Sequence, residues 1–122
     1  MRPSPAAVVF VADVPRMARF HRELFAMQVL HDAPDHVVLE RDGLQLTIHA
    51  LRGEPASDGA PRFDTCVKLC FPVDSIADVR ARAPALGGEL WGVEKEWAAR
   101  GFRACDGRDP EGNIFQVRET GP

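Results

Sequence analysis

The sequence predicts an α+β fold composed of two modules, each with the element order β-α-β-β-β. Three observations support this fold class. An apolar, β-rich run precedes an amphipathic helix in each half of the chain, three short strand candidates follow each helix, and a segment rich in glycine and proline separates the halves. We therefore place module one at about residues 6–51, a linker at 52–64 and module two at about 65–119, within a single domain covering 1–122.

Module one begins with the apolar run at residues 7–11, whose valine-rich composition is typical of a strand. Asp13 is suited to cap the helix that follows, and Pro15 falls in its first turn, where proline is tolerated. Apolar residues recur at helical spacing across residues 14–27, which predicts the helix itself. Three strands complete the module, at residues 28–32, 36–41 and 44–51.

Module two repeats this order. Residues 65–73 form its first strand candidate, and Asp74 or Ser75 caps the next helix. Gly87 and Gly88 end that helix. The remaining strands are predicted at residues 89–93, 102–106 and 114–118. Because one helix covers only one face of a sheet, each module must bury its other sheet face against its counterpart or around a ligand.

The composition of the chain disfavours several classes of function. The 122 residues carry a net charge of −3 with no basic block, so nothing favours nucleic acid or an acidic membrane as a partner. The apolar run at residues 6–12 is too short for a membrane span or a signal peptide. The three cysteines, Cys66, Cys70 and Cys105, form no paired framework, which indicates reduced thiols and a cytoplasmic location.

Three pairs of segments carry a resemblance to a known family. They are residues 9–13 with 20–27, residues 71–74 with 87–88, and residues 101–103 with the Arg-Asp-Pro-Glu-Gly-Asn turn at 108–113. In order and spacing they resemble the vicinal oxygen chelate superfamily, which includes glyoxalases, bleomycin resistance proteins and extradiol dioxygenases. The resemblance implies paired β-α-β-β-β modules that form cupped mixed sheets. It also implies that a two-module chain dimerises to complete its pockets, so we expect a homodimer.

The resemblance further implies a divalent metal held by histidine and glutamate side chains from the first and last strand of each module. In this sequence those positions fall at Ala6, Lys68, Gln116 and either Thr47 or His49. Alanine has no donor atom, a protonated lysine repels a cation, and a neutral amide is a poor substitute for a carboxylate. We therefore predict no family-type metal and no other cofactor.

Strand alternation selects the side chains that should line the cup. The candidate ligand-binding residues are Phe10, Thr47, His49, Lys68, Trp91, Trp97, Arg103 and Gln116, with the tryptophans and Arg103 at the rim. An alternative is that the tryptophans cover a sheet edge or a dimer contact and that Arg103 braces the turn at 108–113. Among the other histidines, His21 is expected to be packed in the core, and His31 and His36 to be solvated.

The surroundings of Lys68 are a separate expectation. In the strand predicted at 65–73, Lys68 shares a face with Cys66 and Cys70, which are weak hydrogen-bonding partners for an amine. Its amine should therefore bind a ligand oxygen, pair with a carboxylate such as Glu40 or Glu119, or extend to solvent.

These observations favour a small-molecule-binding protein that is metal-free and holds a small organic ligand in a cup completed by dimerisation. One alternative is a metal-dependent lyase, isomerase or dioxygenase of the same superfamily, although the missing ligands argue against it. Another is a metal-free enzyme in which Lys68 or His49 acts as the acid–base group, since desolvation lowers the pKa of a lysine. No nucleophile–base arrangement identifies a catalytic residue, so the sequence leaves open whether the protein is an enzyme.

Overall fold

The computed structural model describes residues 3–52 and 58–121, and the chain divides into two units, Met1–Ser57 and Asp58–Pro122. Each unit contains one mixed β-sheet and one α-helix among its described residues, which confirms the predicted α+β class with two modules. The middle of the predicted linker, residues 53–57, lies outside the described residues. In the described part of the chain, no helix is long and apolar enough to cross a membrane.

Unit one follows the predicted order of one strand, one helix and three strands. Its elements are β1 (Ala6–Val11), α1 (Val14–Leu24), β2 (Gln28–Ala33), β3 (His36–Arg41) and β4 (Leu44–Ala50). The strand order in the sheet is β1-β4-β3-β2, in which β1 lies parallel to β4 and the other neighbours are antiparallel. The strands β4 and β3 are therefore central and carry most of the strand residues that α1 covers.

The helix α1 packs on one face of this sheet. Asp13 accepts a hydrogen bond of 3.1 Å from the backbone nitrogen of Arg16 and so caps the helix as predicted. The helix ends at Leu24, before the predicted end at residue 27, because Ala26 takes a φ of 51° that no α-helix accommodates. The apolar side chains buried on helix and strands are Val14, Met17, Phe20, Leu24, Val37, Leu39, Leu46 and Ile48.

Unit two departs from the prediction at its strands. Its elements are β5 (Leu69–Pro72), α2 (Ile76–Arg82), β6 (Glu89–Leu90), β7 (Trp97–Ala98), β8 (Phe102–Arg108) and β9 (Ile114–Thr120). The sheet order is β5-β9-β8-β6, and β7 also pairs with β8. The strand predicted at 65–73 is thus confined to β5, the strand predicted at 89–93 ends with β6, and β7 was not predicted.

The helix α2 covers one face of the second sheet. Ser75 caps it by accepting a hydrogen bond of 3.0 Å from the backbone nitrogen of Asp78, which decides between the two caps, Asp74 and Ser75, that the sequence left open. A 3₁₀ helix at Ala83–Leu86 continues α2, because Pro84 has no N–H to donate to an α-helical bond. The apolar side chains buried between α2 and its sheet are Phe71, Ile76, Val79, Ala83, Leu90, Cys105, Phe115 and Val117.

The turn between β8 and β9 is held by one buried carboxylate. Asp109 accepts hydrogen bonds from the backbone nitrogens of Glu111 and Asn113, both of 2.9 Å, and from the side-chain amide of Asn113. Gly112 follows with a φ of +88°, and the backbone of Ala60 lies against it. The Asp-Pro-Glu-Gly-Asn sequence therefore works as a local turn that returns the chain from β8 into β9.

We predict that Gly112→Ala lowers the free energy of unfolding by about 3 kcal/mol, because the added Cβ would collide with the carbonyl oxygen of Ala60 at a strained φ. Gly101→Ala is the matched control: its φ of +79° is similar, but no atom lies within 4 Å of the added Cβ. This control should lose only about 1 kcal/mol. Urea denaturation measures both losses, and equal values would contradict the close packing around Gly112.

Candidate ligand-binding site

The predicted residues of unit one lie on the sheet face that α1 leaves uncovered, which we call the open face of unit one. Along β4, Leu46 and Ile48 are fully buried, and Thr47 and His49 alternate with them. Phe10 is the register partner of His49, and their ring centroids are 5.6 Å apart. Since Phe10 is 57% exposed, this face presents aromatic surface beside an imidazole.

The histidines outside the predicted cup behave differently from one another. His21 is buried and bonds the carbonyl oxygen of Met17 at 2.9 Å, so it is packed as predicted. His36 is the register partner of His49 on the open face, half-buried, with the two rings stacked at 5.6 Å. His36 is thus only partly accessible to solvent, with 30% of its side chain exposed, whereas His31 is exposed as predicted.

A chain of hydrogen bonds crosses the face of the second sheet that α2 leaves uncovered, the open face of unit two. Lys68 Nζ donates to Asp106 Oδ2 at 2.7 Å, and Gln116 Nε2 donates to Asp106 Oδ1 at 3.2 Å. Arg118 Nε donates to Gln116 Oε1 at 2.6 Å. Asp106 and Gln116 are register partners in β8 and β9, and the residues on either side of Gln116 are buried beneath α2. The structure thus joins the predicted Lys68 and Gln116 through Asp106, which the sequence analysis missed.

Lys68 precedes β5 instead of lying within a strand. Because β5 begins one residue later, the prediction that Cys66, Lys68 and Cys70 share a strand face is wrong. Cys66 is exposed in the preceding loop, while Cys70 lies in β5. Loop geometry, and not strand alternation, directs the Lys68 amine toward β8.

The partner of Lys68 is a carboxylate, but it is Asp106 and not Glu40 or Glu119, the two that the sequence suggested. The Lys68 side chain is 41% exposed and that of Asp106 is 18% exposed. A pair this accessible to water contributes at most about 1 kcal/mol to folding. Its main effect is to fix the position of the ammonium group on the open face.

A groove of about 290 Å³ adjoins this ion pair in unit two. Its lining residues are Phe63, Thr65, Cys66, Val67, Lys68, Trp91, Asp106 and Ile114. The rings of Phe63 and Trp91 are tilted, with centroids 6.3 Å apart, so the groove combines aromatic surface with a charged pair. Phe63 was missed because it falls in the predicted linker, where a lone aromatic residue in a polar segment was its only signal.

Arg103 lies on the α2 side of the second sheet. Its Nε donates to Glu96 at 2.7 Å, and the same carboxylate accepts from Arg80 of α2 at 2.6 Å. The predicted place of Arg103 at the rim of the cup is thereby corrected, and it does not brace the turn at 108–113 either. Trp97, in β7, is 39% exposed and is not among the residues that line the groove.

Glu96 organises this second polar cluster. Only 9% of its side chain is exposed, and the hydrogen bonds from Arg103 and from Arg80 hold the pKa of the Glu96 carboxyl below its ordinary range. Burial raises the pKa of the neighbouring Cys105 thiol, so that side chain is protonated and unreactive. The cluster joins α2 to Glu96, which directly precedes β7, and to Arg103 of β8.

Three of the positions at which the sequence placed metal ligands, Ala6, Lys68 and Gln116, do not suit a cation. Ala6, in β1, supplies no donor. In unit two, Lys68 and Gln116 are both bonded to Asp106, and the guanidinium of Arg118 adjoins Gln116. Two positive side chains therefore stand where a cation would need ligands, and the nearby carboxylate is already paired. We derive no metal-assisted step at these positions.

A larger groove, of about 590 Å³, lies in unit one between α1 and the strands β2 and β3. Aliphatic side chains form most of its lining, and Arg19 and Arg22 stand at its edge from α1. None of the predicted ligand-binding residues lines it. The predicted chemistry is therefore concentrated on the open faces and not in this larger groove.

The sequence matches the family described as "Glyoxalase-like domain" over residues 6–118. No curated protein matches the chain significantly.

Solved structures with the same fold resemble the chain over nearly its full length. A glyoxalase/bleomycin resistance protein/dioxygenase family enzyme from Burkholderia phytofirmans PsJN is 18% identical, with a TM-score of 0.73, over 95% of this chain and 97% of that one. The fosfomycin resistance protein FosX from Listeria monocytogenes is 17% identical, with a TM-score of 0.70, over 99% and 95%. An integron cassette protein from V. cholerae is 20% identical, with a TM-score of 0.67, over 99% and 97%.

We predict that Glu96→Gln lowers the free energy of unfolding by about 1–3 kcal/mol at pH 7, because it removes a charged acceptor shared by two arginines. Since folding lowers the pKa of Glu96, its contribution is present above the unfolded-state value of about 4.3 and fades as the pH falls below it. Parent and variant should therefore converge toward pH 3 in urea denaturation. Glu94→Gln, an exposed neighbour, should change stability by less than about 0.5 kcal/mol. A pH-independent loss would contradict this assignment.

Proposed function

Since the chain belongs to the glyoxalase-like domain family of the vicinal oxygen chelate superfamily, we propose that it is a small-molecule-binding protein of the glyoxalase and bleomycin resistance type. The observation that carries this proposal is the chain of hydrogen bonds from Lys68 to Arg118 on the open face of unit two, beside the groove that Trp91 lines. A ligand with a flat apolar body and a polar or anionic head suits this combination.

The charges on this face favour an anionic head group. Asp106 accepts from both Lys68 and the Gln116 amide, which turns the Gln116 oxygen toward Arg118. Lys68, Asp106, Gln116 and Arg118 form a row of hydrogen-bonded side chains. Lys68 and Arg118 each carry one positive charge and Asp106 carries one negative charge, so this row has a net charge of +1. The guanidinium of Arg118 also lies 4.5 Å from the centroid of the Phe102 ring, which limits its motion. The carboxylate or carbonyl oxygen of a ligand would supply further hydrogen-bond acceptors for the Lys68 and Arg118 donors of this row.

The proposed function needs no metal and no acid–base group. The family-type positions present Ala6, Lys68 and Gln116, which argues against a metal-dependent lyase, isomerase or dioxygenase. The Lys68 Nζ donates to Asp106 at 2.7 Å, so the position of the amine is set by this ion pair and not by a substrate group. His49 donates from Nδ1 to the carbonyl oxygen of Ala50 at 2.9 Å, so a backbone carbonyl, and not a carboxylate, sets the orientation of its ring. Binding therefore accounts for the described residues better than either enzymatic alternative.

Self-association and cellular location are parts of the same proposal. Val8 and Phe10, on the open face of unit one, are 53% and 57% exposed, and a second copy of the chain would bury such apolar surface. Three free cysteines, Cys66, Cys70 and Cys105, suit the reducing cytoplasm. We therefore propose a cytoplasmic homodimer whose ligand-binding cups are completed on dimerisation.

We predict that the protein binds 1-naphthoate more tightly than the neutral 1-naphthamide, because Lys68 and Arg118 favour the anion. Lys68→Met should weaken naphthoate binding about tenfold and leave naphthamide within about twofold, since only the charge interaction is removed. Isothermal titration calorimetry measures both affinities. Lys95→Met is the matched control, because Lys95 is exposed and lies outside the groove. Unchanged naphthoate affinity in Lys68→Met would remove Lys68 from ligand recognition.

We predict a homodimer at micromolar concentration, as measured by light scattering coupled to size-exclusion chromatography. Phe10→Glu should shift the population toward the monomer, because it places a charge in exposed apolar surface that association would bury. Phe63→Glu is the control, since Phe63 is also exposed, at 76%, but lines the groove of unit two. A monomeric parent protein would contradict the proposed dimer.

A further inference from the structure

Three side chains that could ligate a metal come together at one end of the unit-one hairpin. His36 is the first residue of β3, His49 lies near the end of β4, and the two are register partners. Asp35 precedes β3 in the turn from β2. Register partners in antiparallel strands project to the same face, so both imidazoles stand on the open face with the turn carboxylate beside them.

The distances in this cluster are close to those of a metal site. One ligand atom from each of Asp35, His36 and His49 lies within 4.8 Å of the other two. Asp35 Oδ1 and His36 Nδ1 are 2.8 Å apart, and adjacent ligands in a tetrahedral zinc site are about 3.3 Å apart for bonds of about 2.0 Å. Two of the three atoms are thus already near enough to share an ion, and the third, from His49, lies within 4.8 Å of both.

The hydrogen bonds of the two side chains favour ligation. The His49 Nδ1 contact of 2.9 Å is to the carbonyl oxygen of Ala50, which can only accept, so Nδ1 is the nitrogen that donates and Nε2 is the one that can ligate when the ring is neutral. Metal-bound histidines usually donate their other ring N–H in this way to a carboxylate, a backbone carbonyl or a water. Asp35 Oδ1 lies 2.8 Å from His36 Nδ1, so the carboxylate is already aligned with the second imidazole.

We propose that Asp35, His36 and His49 form a binding site for a zinc-like divalent transition metal ion on the open face of unit one. On binding, the ion takes the place of the proton that joins His36 Nδ1 to Asp35, and this proton is transferred to Nε2 of the same ring. Two imidazoles and a carboxylate leave one tetrahedral position for water or for a ligand oxygen.

Only His49, on the last strand of module one, is among the candidate metal positions that the family resemblance implies, and the proposed site differs from the family site in its other two ligands. Asp35 and His36 belong to a turn and to β3. The proposal is also independent of the anion-binding row in unit two, whose residues contribute nothing to it. Failure of either proposal would leave the other in place.

Zinc titration of the EDTA-treated full chain by isothermal titration calorimetry tests the site. We expect about one Zn²⁺ per chain, with each of Asp35→Asn, His36→Gln and His49→Gln weakening binding about 10- to 100-fold. Two matched controls should stay within about twofold of the parent. His31→Gln removes the exposed histidine whose ring centroid lies 4.9 Å from that of His36, and Asp42→Asn changes an exposed acid at the turn between β3 and β4.

Side-chain ¹⁵N spectra of the histidines give a second readout that does not depend on affinity. Zn²⁺ should shift the ring nitrogens of His36 and His49 and leave those of the buried His21 unchanged. Thermal melting in EDTA verifies that each variant folds. The proposal is overturned if the parent binds no stoichiometric Zn²⁺ below about 100 μM, if the His36 and His49 variants bind as well as the parent, or if Cys66→Ser alone abolishes binding.

Discussion

Each sheet of this protein has a single helix to cover it among the described residues, so only one of its faces can be apolar and fully packed. Successive side chains of a strand point to opposite faces of the sheet, so this constraint applies to every strand residue. In β4 the residues beneath α1, Leu46 and Ile48, are completely buried, and the residues between them face the other way. The uncovered faces are therefore where polar and aromatic groups can be placed without breaking a core, and both proposed sites lie there.

The two open faces acquire different chemistry from this common constraint. In unit two, a carboxylate at Asp106 accepts from Lys68 and Gln116, and the row that results favours an anion. In unit one, the imidazoles of His36 and His49 lie beside the Asp35 carboxylate, a set of side chains that suits a metal cation. The contrast follows from the hydrogen-bonding capacity of the side chains. Ammonium and guanidinium groups can only donate hydrogen bonds, whereas a neutral imidazole that donates from one nitrogen can still accept, or bind a metal, at the other.

Local features of the fold were predictable because they depend on neighbours within a few residues. The caps at Asp13 and Ser75 use bonds that span three positions. The turn that Asp109 stabilises is closed by a hydrogen bond from a residue four positions away. The site was predicted less completely. Lys68 and Gln116 were among the predicted residues, but Asp106, which joins them, was missed, because its 2.7 Å bond to Lys68 spans 38 residues and depends on how β8 and β9 align.

The sequence by itself determined the α+β class, the two β-α-β-β-β modules and the family, because hydrophobic periodicity and turn-forming residues are properties of short segments. Only the tertiary structure decided where β5 begins, which face Arg103 takes, and that His36 lies opposite His49. Strand register is responsible for the last of these. A shift of one residue would reverse every side chain of a strand, and register is set by packing across the sheet and not by any one strand's own composition.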